Sequence, residues 1–399
     1  MRHPFQISDK RFDLSKWLML VLLFVLSFTM FHQVTLRPSS DIAIHATWAS
    51  EGDFRDLTSF VHHGAHPMWH VLVSILLHMG ISLPVASALI TAFAKVFTAY
   101  VTHLLLTVAL QKKFNRWTIT LFTAILMFVS CLCIPSYNPT VYAGIGTPNT
   151  WHSCTQLMAI AFMVVCVPYT AWVYDSFTER LPQQGAKTKL PWMQTIVLGG
   201  LLFLSLLAKP TFMQAFLPAA CLFFLYQWIR HPKNSPYFIQ VLACVFPAIA
   251  FMIFQYLYYF GIIVPWQSSM VIEYDWGKLL HVFIRVVLMM AFPLYTVLIT
   301  RKQKWDTGYV LTLLFNLVAI VEMLILGEDG RRASDGNFGW GMMGASLMLW
   351  IVCMIRFLKN EDMKQWFKPK NLIAWTLLAW HLVSGVYYYG YLLTSGTTI

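Results

Sequence analysis

Four polar stretches of this chain hold side chains able to do chemistry, and each interrupts an otherwise apolar sequence. The first reads Arg37-Pro-Ser-Ser-Asp41-Ile-Ala-Ile-His45-Ala-Thr-Trp48-Ala-Ser-Glu51. Ser39 or Ser40 can cap a short helix, on which Asp41, His45 and Trp48 fall at i, i+4 and i+7 and share a face. A carboxylate so placed can act as a general base, or can do no more than satisfy the positive end of the helix dipole. A second short helix is expected near Asp53, with Phe54, Leu57 and Phe60 dipping into a membrane interface. The stretch closes with His62, His63 and His66, and His70 follows. Imidazole is the commonest transition-metal ligand, but no HExxH pair is present. The histidines therefore read as interfacial rings or as a cationic rim for a phosphate. No cofactor is expected, and nothing in the ligand spacing supports a divalent metal.

The second stretch, from Ser136 to Gln156, holds Tyr137-Asn-Pro, Gly144, Gly146 and then Thr147-Pro-Asn149-Thr-Trp151-His152. Proline and glycine enforce turns there, Asn149 is placed to cap the helix that follows, and Trp151 is placed to anchor it at the interface. His152 joins the candidate substrate-binding residues. The third stretch is Lys209-Pro210, which splits one long apolar run into two. Proline breaks the helix, leaving an ammonium at the hairpin, either snorkelling or holding a phosphate or carboxylate. The fourth reads Leu326-Gly-Glu328-Asp-Gly-Arg331-Arg332-Ala-Ser-Asp335-Gly336-Asn337-Phe-Gly339-Trp340-Gly341. Arginine suits bidentate phosphate binding, Gly336, Gly339 and Gly341 would admit close backbone approach, and Glu328 and Asn337 complete the candidate set. Glu322 should face the protein interior, with Arg285 and Lys95 as partners or snorkelling groups.

The elements that must position these groups are membrane helices. Of the 399 residues 58% are hydrophobic and 11% charged, against about 25% charged in a soluble domain. Apolar runs at 17–36, 67–82, 85–110, 117–135, 155–174, 191–208, 211–229, 237–260, 279–300, 307–327, 339–356 and 371–393 mostly reach the roughly 17 to 25 residues that cross a hydrocarbon core. They are continuous rather than alternating, so an all-α, polytopic bundle of about 11–12 apolar segments is expected, not a barrel. It reads as one integral-membrane domain, 1–399, with non-cytoplasmic loops at 37–66 and 327–340.

The net charge of +11 is not that of a nucleic-acid partner, because 20 of the 28 Lys and Arg sit in the N-terminus and in loops 111–117, 175–190, 229–236, 300–306 and 356–370. These loops are cytoplasmic by the positive-inside rule, as is the N-terminus, and the plasma (inner) membrane is the expected location. Alternation leaves room for one crossing within 67–110, where two apolar runs are drawn; 67–82 is therefore expected to be re-entrant or interfacial. The seven cysteines show neither a disulfide framework nor a zinc spacing.

A short first span, an outer loop opening on Arg37-Pro-Ser-Ser-Asp41, two juxtamembrane helices, and a His66-Pro-Met-Trp69 segment entering a short apolar helix that ends at Gly80 resemble the GT-C superfamily of membrane glycosyltransferases. The resemblance covers about the first 140 residues in arrangement. It implies transfer of a sugar from a polyprenyl-phosphate donor to a glycan or lipid acceptor on the non-cytoplasmic face. Asp41 would be the general base, and Lys209, Arg331, Arg332 and His66 would stabilise the phosphate left on the lipid. Apolar helices would sheath the prenyl chain, and Trp48, Trp151 and Trp340 would offer faces to sugars. The family often carries an acidic pair in this loop, whereas here Asp41 is followed by Ile42. Intramembrane charges suggest instead a transporter or flippase of lipid-linked saccharides. A saccharide polymerase, or a membrane acyltransferase with a histidine base, is a further alternative.

Overall fold

The structure, a computed structural model, describes residues 5, 12–56, 58–61, 66–138, 146–184, 189–261, 269–273, 276–330, 336–360 and 367–395. Of the described residues 79% are helical. Among the described residues eight helices are long and apolar enough to cross a membrane, and the chain is a multi-pass membrane protein. They are α1 (Leu14–Thr35), α5 (Leu83–Leu110), α7 (Cys154–Gln184), α9 (Thr211–Arg230), α10 (Ser235–Tyr259), α11 (Trp276–Ile299), α12 (Thr307–Ile325) and α13 (Gly339–Lys359). Shorter helices are α2 (Asp41–Glu51), α3 (Thr58–Val61), α4 (Met68–His78), α6 (Arg116–Phe128) and α8 (Trp192–Ala208), and α14 (Pro369–Ser395) ends the described chain.

The bundle has two ends, and the chain returns to each in turn. Helices α1 and α5 run antiparallel: Lys16 Nζ lies over Tyr100 at 5.2 Å and Phe24 meets Phe93 at 5.3 Å. At the first end, Arg116 bonds the Phe12 carbonyl (2.7 Å), Lys113 bonds the Lys359 and Asn360 carbonyls (3.3 and 3.2 Å), and Thr307 donates to Asp175. At the second end, Arg37 donates to the Leu392 and Leu393 carbonyls, and Gln156 joins Thr211 to the backbone of Trp340. The described parts of the basic loops thus gather at the first end, and the four chemical stretches at the second.

Helix α4 accounts for the odd crossing count. Its eleven residues rise only about 16 Å, half of a hydrocarbon core. Ser74 on α4 donates to the Gly52 carbonyl just past α2 (3.1 Å), so α2 and α4 fold as one cap over the ends of α1 and α5. Ser40 caps α2 as its sequence predicts, its Oγ accepting from Ala43 N at 3.0 Å. Phe60 departs from expectation: it is buried against Gly52 rather than dipping outward, so closely that a Cβ on Gly52 would sit 2.2 Å from its ring.

The segment read as a span over 117–135 is helical only to Phe128. Beyond it the backbone runs extended through the protein interior, and its polar groups find partners on two neighbours. Ser130 N donates to the His381 carbonyl (3.2 Å), Leu132 N to the Leu288 carbonyl (2.8 Å) and Cys133 N to Ser384 Oγ (2.9 Å). Helix α11 can lend the Leu288 carbonyl because it kinks at Met290 (φ −130°). Pro293 lacks an N–H for the Met289 carbonyl, which the Trp350 indole takes at 3.2 Å. The crossing also needs Gly385, where a Cβ would meet the Phe128 carbonyl oxygen at 1.6 Å.

Two strands depart from an all-helical reading. β1 (Met270–Ile272) pairs antiparallel with β2 (Leu326–Glu328), Val271 opposite Gly327. The ribbon holds Glu328 at the second end.

Candidate functional site

A cavity of about 270 Å³ opens at the second end. Its polar wall holds His66, Lys209, Gln255, Glu322, Glu328 and Asn337, and its apolar wall Met252, Tyr256, Tyr259, Phe260 and Phe338. Lys209 is there because α8 ends in extended backbone (φ −173°, ψ 133°) and Pro210 starts α9 at once. Its ammonium lies 4.4 Å from the Trp340 ring centroid, a cation–π distance. Glu328 is buried and accepts from the Asn337 amide. Gly336 (φ +61°) turns the chain to present Asn337, with open space where a Cβ would be. Glu322, expected to face the interior, lies in the last turn of α12 on this wall.

Asp41 does not line the cavity but stands beside it, near enough that its charge acts on His152, as does that of Lys209. Its Oδ1 is 3.6 Å from His45 Nε2, and Trp48 packs edge-on to His45 at 4.8 Å, so the shared face read from the spacing forms. His45 Nδ1 meets His70 Nε2 at 2.9 Å. The rings of His66 and His70 are 6.3 Å apart, and His66 also lines the cavity.

His152 is buried, its Nδ1 2.7 Å from the Tyr388 hydroxyl and its ring 5.7 Å from Trp340. Burial pushes its pKa down to about 4; Asp41 opposes the shift and Lys209 adds to it. His152 is therefore a neutral imidazole at neutral pH. It can accept from Tyr388 through Nδ1 while keeping its proton on Nε2.

Asn149 is no helix cap. It lies five residues before α7 begins, donates to the Leu126 and Val129 carbonyls (both 2.8 Å) and accepts from Lys95 Nζ (2.6 Å). Those carbonyls are left by the end of α6, so Asn149 is a strut between α5 and α6. Nor is Trp151 an interfacial anchor: it is fully buried among Phe31, Phe128 and Tyr389, with Lys95 Nζ 4.5 Å from its centroid. Lys95 neither snorkels nor pairs with Glu322; these contacts hold it inside. Gly339 and Gly341 serve packing rather than ligand approach: a Cβ at Gly341 would be 3.1 Å from the Thr211 carbonyl oxygen, and one at Gly339 would be 3.2 Å from Arg285 Nη2.

Arg331 and Arg332 lie outside the described residues, as do His62 and His63. The residues flanking the arginine pair, Glu328 and Asn337, are both on the cavity wall. Among the described residues no group of three or more His, Cys, Asp or Glu is placed to hold a metal. Comparison with known proteins gives no match: no family model fits this sequence, and no curated protein is similar to it. The site must therefore be read from its own chemistry. Sequence reasoning missed Tyr388, Gln255, Tyr256 and Tyr259, which sit in helices read only as apolar spans. A glutamine inside such a span was the available signal for Gln255.

A second cavity, of about 290 Å³, is apolar and lies between α7, α8, α9 and α10. On α10 its wall of Phe238, Val241, Leu242, Val245 and Ile249 continues, at helical spacing and on one face, into Met252, Tyr256 and Tyr259 of the polar cavity. On α9, Met213 and Leu217 of the apolar cavity adjoin Gln214 of the polar one.

Proposed function

We propose that this chain is a membrane glycosyltransferase that moves a sugar from a polyprenyl-phosphate donor to a glycan or lipid acceptor. One observation carries the reading: two cavities follow one another along the same faces of α9 and α10, one with Lys209, Glu322 and Glu328 among aromatic side chains and the other lined by apolar side chains. That shape fits an amphiphile with a compact anionic head and a long hydrocarbon tail. Lys209 meets the phosphate, Arg331 and Arg332 are assigned to it on the chemistry of the guanidinium alone, and Gln255, Glu328 and Asn337 bond sugar hydroxyls against the rings of Tyr256 and Tyr259.

In this reading Asp41 takes the proton of the acceptor hydroxyl as the new glycosidic bond forms. The bond to the phosphate oxygen breaks, its electron pair stays on the phosphate, and Lys209 stabilises that charge. The second end faces away from the cytoplasm by the positive-inside rule, in the plasma membrane. Glu322 and the Arg285 side chain, the charges that suggested a transporter, belong to this same end: Glu322 is on the cavity wall and Arg285 packs on Gly339. They are better placed to bind one headgroup than to form a path across the bilayer.

The test is incubation of the purified protein with a panel of polyprenyl-phosphate sugars and candidate acceptors. Transfer by wild type, lost in Asp41→Asn while lipid-phosphate binding persists, is expected. Equal turnover by both would remove Asp41 as the base. Uptake of lipid-linked saccharide across vesicles with no transfer would make the chain a transporter.

A further inference from the structure

The loop carboxylate does not stand alone. Asp41 Oδ1 is 3.6 Å from His45 Nε2, and the other nitrogen of that ring, Nδ1, is 2.9 Å from His70 Nε2. Both histidines are buried. A neutral imidazole offers one N–H and one lone pair, so the proton positions along this line are linked. A lone pair on His45 Nε2 would face a carboxylate oxygen and be repelled, so Nε2 carries the hydrogen. Nδ1 of His45 is then the acceptor, and His70 must donate to it from Nε2. Both N–H groups point the same way, towards Asp41. Trp48 packs edge-on to His45 at 4.8 Å, Trp69 packs edge-on to His70 at 5.5 Å, and the Trp69 indole N–H is already given to Thr91 Oγ1 at 3.0 Å. Among the described residues His66 also lies near this line, and the Asp41 charge acts on His152.

We propose that His45 and His70 are positioning residues for Asp41, a pair of aligned imidazole donors that engages Oδ1 and fixes the orientation of the carboxylate. Oδ2 is buried and has no hydrogen-bond partner among the described residues, whereas the Asp41 side chain is 40% exposed, so the carboxylate is open on one side and held on the other. The contact of 3.6 Å is longer than a hydrogen bond, and contacts of this kind tighten when substrate binds. This inference rests on the transferase reading for the role of Asp41 as base, whereas the imidazole alignment rests on geometry alone.

Two measurements test it separately. In ¹⁵N-histidine spectra of the full chain in detergent, His45 and His70 should both be Nε2–H tautomers at neutral pH, and Asp41→Asn should give His45 a mixture of tautomers. An Nδ1–H tautomer at His45, or a spectrum that ignores Asp41→Asn, overturns the proposal whatever the chain's activity. In the transfer assay, His45→Ala should lower kcat about a hundredfold with KM unchanged, and His70→Ala about tenfold. His45→Gln, whose amide N–H can reach Oδ1, should recover most of the loss. Equal losses in His45→Ala and His45→Gln, or a loss carried by KM, mark a purely structural role and overturn the positioning. The expected spectra together with no transfer from any donor would sink the transferase reading and leave the imidazole alignment standing.

Discussion

The two ends of the bundle treat buried charge in opposite ways. At the first end Arg356 is buried and its donors go to the protein itself: Nη1 to the Lys304 carbonyl (3.0 Å), Nη2 to those of Thr300 and Gln303 (3.0 and 3.4 Å), Nε to Thr300 Oγ1 (3.4 Å), with the Tyr309 ring 3.9 Å from its Cζ. It closes the 300–306 loop onto α13. At the second end Lys209, Glu322 and Glu328 face a cavity, and one oxygen of Asp41 is buried without a hydrogen-bond partner among the described residues. Desolvating polar groups without full pairing is costly. A fold bears that cost where a ligand will complete the pairing, so the first end reads as structure and the second as site.

Substitutions should separate the two ends. Asp41→Asn should reduce glycosyl transfer about a thousandfold, roughly 4 kcal/mol of transition-state stabilisation, with an unchanged melting temperature in detergent; an equal drop in stability would erase the contrast. Arg356→Ala should do the reverse, costing about 3 kcal/mol of stability by orphaning several carbonyls while leaving affinity for a polyprenyl phosphate as it was. Lys209→Ala should weaken that affinity about tenfold, about 1.4 kcal/mol, and Lys209→Arg should retain it, as read by lipid-phosphate titration. His152 sharpens the comparison through pH. Its folded-state pKa of about 4 lies below the ordinary 6.5, so the unfolded chain takes up the proton first. Stability is then full above about pH 6.5 and falls as pH drops towards 4. His152→Gln should flatten that slope in thermal melts at pH 7 and pH 5.

Much of this organisation is legible in the sequence, and particular residues show where legibility stops. Ser40, Asp41, His45 and Trp48 are close in sequence and helical spacing alone puts them on one face, so their contacts follow without knowledge of the fold. The surplus crossing within 67–110 is visible as a parity conflict, and α4 resolves it by being too short. Asn149 could not be read this way. A residue just before a helix looks like a cap, and only the arrival of Lys95 from α5 and of two carbonyls from the end of α6 makes it a strut. Trp151 and Trp340 are equally interfacial by type, yet one is sealed in the core and the other sits under Lys209.

Composition and periodicity by themselves determined that this chain is helical and lives in a membrane, because the cost of placing charge and unpaired backbone in hydrocarbon acts on each segment separately. Only the tertiary structure decided which polar groups are spent on the protein and which face a cavity. Helices far apart in the chain meet through side-chain shape and carbonyls freed at kinks, and neither leaves a periodic mark in the sequence.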